Sequence, residues 1–382
     1  HVAVRRQRQM CIRDRNSYEL FFNAIENLKM TNRIRAAWEG RISGCLLGKP
    51  IEILSMREGK DSLENYLKEA KSFPLRDYIN HIEHPLIKGL SINCCKGKIN
   101  RAEQDDDITY TVLALMMLEE HGLKLDTDDI ARTWINKLPA GATFTAEREA
   151  YIKLLKNMNF DYQWGGERKF DIDTLSDNEF NDWIGAQIRI DMYGWVLPGN
   201  PAIAADLARK DARLSHRGCA VECSAYIAAL AALIPVKEKR IDAVEEALKY
   251  IDKTSDAYKA VEVGKKNIGK ACNKIIDEYK DLSPVHSLNN LAIVVWAFLS
   301  FQDSFDEAVG EAVSAGWDTD CNGATVGGLF GLANGEIPSK WTDPWKGKVN
   351  TTISGIGELS LENLIQRTEN LRENISSQLK KS

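Results

Sequence analysis

Gly316-Trp317-Asp318-Thr319-Asp320-Cys321-Asn322-Gly323-Ala324-Thr325 sets two carboxylates one residue apart at the start of a run of small and apolar residues. Along that run Gly323, Gly327, Gly328 and Gly331 recur at roughly helical spacing. The spacing predicts a buried helix over residues 324–333 whose missing side chains let a neighbouring backbone come close. Asp318 and Asp320 then stand at its N-terminal end, where partial positive charge and unpaired N–H groups favour ionised acids; as hard oxygen donors they suit a divalent cation. Asp-Thr-Asp before a helix is equally an ordinary capping arrangement. A second acidic cluster far upstream, Glu103-Gln104-Asp105-Asp106-Asp107, also runs straight into an apolar helix, which Gly122 ends. Two such helix starts in one chain favour a shared site over two unrelated caps.

Working outward, Ile34, Ala37, Trp38, Ile42 and Leu46 recur at three- and four-residue steps and predict a helix that ends in Gly44-Cys45-Leu46-Leu47-Gly48-Lys49-Pro50-Ile51-Glu52. Pro50 interrupts it and leaves Glu52 just beyond, either as solvated surface or as a third source of carboxylate. Residues 55–100 are polar and mixed and receive no role. Residues 139–150 read as a small-residue loop, pocket lining or connector, that enters another helix. Residues 190–201 form an aromatic, Gly/Pro-rich loop carrying Tyr193 and Trp195, followed by a helix over about 202–212. Leu214-Ser215-His216-Arg217-Gly218 precedes an Ala-rich apolar segment to Ile234, and residues 237–282 supply two charged amphipathic helices as an outer layer. Strand-like alternation recurs nowhere, so the class is all-α.

Composition bounds the rest. A chain of 382 residues, 44% hydrophobic, can bury a large core. A net charge of −5 with mixed signs gives no argument for nucleic acid, and the apolar run 291–301 is too short to span a bilayer. Eight cysteines without a secretory signal read as reduced thiols of a cytoplasmic protein, and no zinc-type spacing or Walker motif occurs. Residues 1–15 hold five arginines and one acid, do not resemble the rest of the chain, and read as non-native; without them the chain carries about −9. The expected organisation is an N-terminal extension over 1–29, with a leading helix over 16–29, a single domain over 30–350 and a C-terminal helical tail over 351–382.

The order Gly-Cys-Leu-Leu-Gly with Glu52 after it, then Asp105-Asp106-Asp107, Ser215-His216, His286-Ser287-Leu288-Asn289-Asn290 and Asp318-Thr319-Asp320, resembles the ADP-ribosylglycohydrolase family from about Arg33 to Trp345. The resemblance implies an all-α, orthogonally packed multi-helix globule with a central binuclear magnesium site holding the ribose hydroxyls of an ADP-ribosyl group. By position, Asp106 and Asp107 match the family's paired aspartates and Asp318 and Asp320 its later pair. Glu52 matches the carboxylate near the metals and the attacked carbon, and His216 a histidine near the substrate. The implied catalytic group is Glu52, Asp106 and Asp107, with no choice of base among them; the implied metal ligands are Asp105, Asp106, Asp107, Asp318 and Asp320. Ser215, His216, Tyr193, Trp195 and Asn289 are candidates for contacting the substrate. Two departures stand out: Asp105 replaces the first threonine of Thr-Asp-Asp-Thr, and Cys321 replaces a threonine after the last aspartate. The added carboxylate shifts preference toward Mn2+ or changes which ion is tightly held, and a thiol is a poor ligand for Mg2+.

Physical chemistry supports the same class independently. Four or more clustered acids without a cation repel one another and partly protonate. Carboxylates beside an anomeric carbon stabilise an oxocarbenium-like transition state, and two cations can orient a sugar and a water. The expected partner is an ADP-ribosyl conjugate or a related small ribosyl compound, with no nucleic acid and no membrane; the oligomeric state is left open. Competing readings are a metal-dependent hydrolase of another ribosyl compound, such as a nucleoside-type N-glycoside, and a non-catalytic binding protein of the same fold.

Overall fold

The computed structural model describes residues 27–381. The expectations for residues 1–15, and nearly all of those for 16–29, therefore lie outside the described residues. Helix α1 covers 27–48. After it come α2 (Glu52–Glu69), α3 (Asp106–His121), α4 (Thr127–Lys137), α5 (Thr145–Asn157), α6 (Asp191–Trp195), α7 (Pro201–Ala212) and α8 (Gly218–Leu233). The remaining helices are α9 (Arg240–Ala247), α10 (Asp256–Lys266), α11 (Asn273–Glu278), α12 (Ser287–Ser300), α13 (Phe305–Ser314), α14 (Thr319–Asn334), α15 (Ser339–Thr342) and α16 (Leu361–Leu379). Among the described residues the strands are β1 (Lys348–Asn350) and β2 (Glu358–Ser360), an antiparallel pair. The protein is an all-α bundle around one main apolar core that runs from Met30 to Ile375.

Helix α14 forms the axis, buried from Thr319 to Leu332. It lies against α1 with almost nothing between the two backbones: a Cβ on Gly40, Gly44 or Gly48 would fall 2.1, 1.9 or 2.2 Å from the carbonyl oxygen of Gly327, Gly323 or Thr319. The close approach expected from the glycines of α14 is therefore made, and its partner is a matching small-residue stripe on α1. Helices α12 and α13 flank the other side of α14, and α7 packs along α8 to build the neighbouring layer. Helix α8, with Ile234–Val236, is long and apolar enough to cross a membrane by composition, but 78% of that stretch is buried inside the protein. Helix α16 docks on α1, where Trp38 Nε1 donates to Thr368 Oγ1 (3.1 Å) and Thr31 Oγ1 donates to Glu369 Oε2 (3.0 Å).

Two local results differ from the sequence reading. As expected, α1 stops before Pro50, which sits in a 3-10 turn, Lys49–Ile51; what differs is that Glu52, just beyond it, opens a further helix, α2, where only a polar, mixed stretch was expected. The stretch 190–201 is not mainly a loop either, since α6 occupies its first half and is wholly buried. The apolar side chains of α6 are claimed by the core, which overrides the turn tendency of Gly194, while Pro198 and Gly199 (φ 75°) keep a turn.

Candidate active site

Gly316 (φ 90°) and Trp317 (φ 61°) both take the left-handed backbone region and reverse the chain between α13 and α14. For tryptophan this is a strained conformation, held here by its surroundings. The reversal puts Asp318 at the cap position of α14, yet its carboxylate caps nothing. Instead its backbone N–H donates to Asn290 Oδ1 (3.4 Å), which also accepts from Asn322 Nδ2 (2.8 Å). Asp318 Oδ1 is buried with no hydrogen-bond partner. The helix start therefore does not account for Asp318 as a cap. At α3 the capping reading does apply: Asp105 accepts the Asp107 N–H (3.0 Å). The two acidic starts and Glu52 meet because α1 and α14 are in backbone contact, a contact that Thr319 extends by donating its Oγ1 to Gly48 O (2.9 Å).

A cavity of about 1000 Å³ opens over this meeting point. Its floor carries Glu52, Asp105, Asp106, Asp318 and Asp320 together with Lys49; its wall carries Phe144, Trp183, Ile184, Ile188 and Val285. The loop before α5 contributes Pro139, Gly141 and Ala142, so its role is lining as well as connection. Oxygens of Glu52, Asp318 and Asp320 lie within 4.8 Å of one another, close enough to share one cation. A second group, Asp107, Asp320 and Cys321, meets the same limit and shares Asp320 with the first; Cys45, Asp105 and Asp107 form a third. Asp106 lines the cavity but falls outside these triplets. Cys321 packs its side chain on Ile184 and Ile188, as a small apolar residue would.

Charge on the floor is poorly compensated. Lys49 is ion-paired with Asp105, and although burial pushes Asp105 up, the ammonium and its hydrogen bond hold that carboxyl below its ordinary value. The others go the opposite way: burial, reinforced by neighbouring carboxylates, raises Glu52, Asp106, Asp318 and Asp320. In the cation-free protein these four bind protons more tightly than they do in the unfolded chain, which releases them near pH 4. Their contribution to stability therefore falls as pH rises from about 4 through their raised folded values. A divalent ion that takes the place of those protons removes the loss. Melting curves in chelator and in Mn2+ should coincide at acid pH and separate progressively as pH rises, with the Mn2+ curve higher; curves that coincide throughout would count against cation binding.

The other residues singled out by sequence do not line the cavity. Asp107 lies just beneath its floor: it is fully buried, its Oδ1 accepts from Arg41 Nη2 (3.1 Å), and its Oδ2 has no hydrogen-bond partner. Arg41 is itself fully buried, donates Nη1 to Asp191 Oδ2 (3.0 Å), and joins α1 to α3 and α6. Tyr193 and Trp195 are enclosed in the core instead of lining the cavity: Tyr193 Oη donates to Asp211 Oδ2 (2.6 Å), and Trp195 packs edge-on against Trp38. Asn289 is buried, donating Nδ2 to Ser283 O (3.1 Å) and accepting the Asn290 N–H (3.0 Å); its neighbour Asn290 makes the contact to Asp318. Ser215 and His216 pair with each other (Oγ to Nδ1, 2.8 Å) behind Glu147, whose Oε1 is 3.9 Å from His216 Nε2. Burial and the nearby Arg189 hold His216 well below the ordinary imidazole value, so it is neutral. Lys49, Glu147, Arg41 and Asn290 belong to the site or its support without having been singled out. The signal for Glu147 was present, since it opens the helix after the small-residue loop; that for Lys49 was hidden in the segment read as a helix break.

The sequence pattern of the ADP-ribosylglycohydrolase family matches residues 26–374. The chain belongs to that family. An uncharacterized protein of Archaeoglobus fulgidus is 27% identical over 323 residues, covering 83% of this chain and 92% of its own length. Among solved structures, a chain of an ADP-ribosylglycohydrolase-related protein complex superposes with a TM-score of 0.59 at 18% identity, covering 90% of this chain and 98% of the other, which is a likeness of fold. Within an ADP-ribosylglycohydrolase fold, then, the acid-floored cavity is formed by the segments that carried the resemblance.

Proposed function

We propose that the protein is a metal-dependent hydrolase that cleaves the glycosidic bond at the anomeric carbon of an ADP-ribosyl group. The observation that carries the reading is the convergence of five carboxylates, from three distant segments, on the floor of one cavity with an apolar wall. The donor set fits Mg2+ or Mn2+: all oxygen, close enough to share an ion, and including a buried Asp318 oxygen with nothing else to bind. Glu52, Asp318 and Asp320 would hold one ion; Asp320 and Asp107 are the residues available to a second. Bound there, such ions orient hydroxyl groups and lower the pKa of water.

The chain's own groups divide the remaining work. Glu52 and Asp106 are half-buried and line the cavity, and burial and neighbouring carboxylates raise their proton affinity, so either, once ionised, can take a proton from an attacking water. Asp107, held by Arg41, serves as ligand and support and leaves proton transfer to those two. Lys49 offsets the charge that Asp105 adds where the family's threonine stands. The apolar wall suits a flat, weakly polar part of the ligand and keeps bulk water from the floor. The seven described cysteines are free thiols, in keeping with a cytoplasmic location.

The test is release of ADP-ribose from arginine-, serine- and ester-linked conjugates, and from free small ribosyl compounds, assayed with Mg2+, with Mn2+ and after chelation. Cation-dependent release from at least one ADP-ribosyl conjugate is expected. Turnover confined to nucleoside-type substrates would reassign the substrate class, and turnover undiminished by chelation would overturn the metal dependence.

A further inference from the structure

We propose that Asp182, Cys219 and His286 form a second cation site, of a different chemical kind, on the outer side of the cavity wall. The ligand atoms of the three side chains lie within 4.8 Å of one another, and all three residues are half-buried, accessible to an incoming ion. A thiolate, an imidazole and a carboxylate with a fourth position open to water is a donor set for Zn2+, whose bonds of about 2.0–2.3 Å place tetrahedral ligands about 3.3–3.8 Å apart. Modest closure of the present arrangement meets that geometry. Mg2+ has no reason to choose a site with sulfur and nitrogen in it, so the all-oxygen cavity floor and this cluster sort cations by softness.

The framework holds the three ligands in position without an ion. Asp182 O accepts both the N–H (3.0 Å) and the Oγ–H (2.8 Å) of Ser287, the residue after His286. Trp183 and His286 form an antiparallel bridge, and the Ile184 N–H donates to Val285 O (2.9 Å). The start of α8 is tied to the same segment, with the Arg217 N–H donating to Asn181 O (3.1 Å). Cys219 Sγ–H already points at Asp182 Oδ1 (3.4 Å). On binding, a Zn–S bond forms as that thiol releases its proton to solvent. His286 Nδ1 accepts the Leu288 N–H (3.2 Å). Coordination through Nε2 keeps this helix cap, and coordination through Nδ1 gives it up, a small loss beside the binding of thiolate and imidazole. A hollow bordered by Arg217, Cys219 and Asp256 gives an entry path.

The consequence is mechanical. Trp183, Ile184 and Val285 line the cavity, and they sit between or beside the proposed ligands. An ion joining Asp182, Cys219 and His286 would staple the two bridged segments of that wall to the start of α8. This site stands on its own ligands, whatever the cavity turns over.

The test uses the full chain, stripped with chelator, held in excess Mg2+ to occupy the oxygen site, and titrated with Co2+ as the spectroscopic substitute. One equivalent of a thiolate-to-Co2+ charge-transfer band is expected, displaced by one equivalent of Zn2+. The band should vanish in Cys219→Ser and persist in Cys321→Ser and Cys45→Ser, which probe the thiols at the cavity floor. His286→Asn keeps a capping acceptor for α12 while removing the imidazole, and should weaken Co2+ binding by at least about 10-fold. Absence of the band in the wild type, its survival in Cys219→Ser, or unchanged affinity in His286→Asn would each overturn the proposal.

Discussion

Asp320→Asn is expected to lose divalent-cation binding and to lower hydrolysis by roughly 10²–10³-fold or more, the scale seen when one preorganised electrostatic group is removed from a reacting centre. Asp320 is the acid that two of the three triplets around the cavity share, with Glu52 and Asp318 on one side and with Asp107 and Cys321 on the other. Asparagine keeps the side-chain shape and an oxygen to accept the Cys321 N–H (3.1 Å), so the start of α14 should be preserved. It also removes one of the buried acids that burial and the nearby Asp105 carboxylate push up, so the metal-free variant should melt no lower than the wild type at neutral pH. The two readouts together separate loss of function from loss of fold. Calorimetric titration with Mn2+ and a melting curve in chelator are the measurements; a variant that binds Mn2+ normally would remove Asp320 from the ligand set.

The second large effect lies outside the cavity. Gly44→Ala should destabilise the protein by about 3 kcal/mol or more, at or above the upper end for overpacking. The added Cβ would fall 1.9 Å from Gly323 O and 2.4 Å from its carbonyl carbon, and both are backbone atoms of a buried helix that cannot swing aside. Alanine is intrinsically better in a helix than glycine by about 1 kcal/mol, so the sign itself is diagnostic: a surface helix would gain. Because Glu52 lies just beyond the end of α1 and Asp318 and Asp320 begin α14, forcing the two helices apart also widens the cation site. Affinity for Mn2+ should fall along with stability. Gly357→Ala is the control: nothing lies within 4 Å of its Cβ position, and its effect should stay within about 0.5 kcal/mol. Urea unfolding of the two variants decides the matter, and equal midpoints would show that the crossing tolerates separation.

What could be read from the chain depended on how local the signal was. The acids of Asp105-Asp106-Asp107 and Asp318-Thr319-Asp320 announce helix starts through composition within a few residues, and the glycines of α14 announce a close neighbour. The identity of that neighbour was not legible, because Gly40, Gly44 and Gly48 acquire their meaning only opposite Gly327, Gly323 and Thr319. Asp107 looks the same as Asp106 in sequence; a buried Arg41 from another helix is what distinguishes them. Tyr193 and Trp195 lie in a stretch rich in turn residues, and only the surrounding core reveals them as packing groups. Helix α2 was missed because its mixed polar sequence buries little beyond Leu54, Ser55, Leu63, Tyr66 and Leu67.

The seam between α1 and α14 has a temporal side as well. Its two halves come from opposite ends of the chain, so the contact closes one of the longest loops the molecule contains, and pairings of that kind form late and slowly. A nascent chain carries Glu52 and Asp105–Asp107 long before it carries Asp318 and Asp320, and during synthesis those acids have no common cavity to occupy. Fraying at the surface, which loosens termini and loops at little cost, leaves the seam intact. Once the seam has closed, the relative placement of Glu52, Asp318 and Asp320 persists until the globule itself opens, so the arrangement of these acids is governed by global unfolding more than by local breathing.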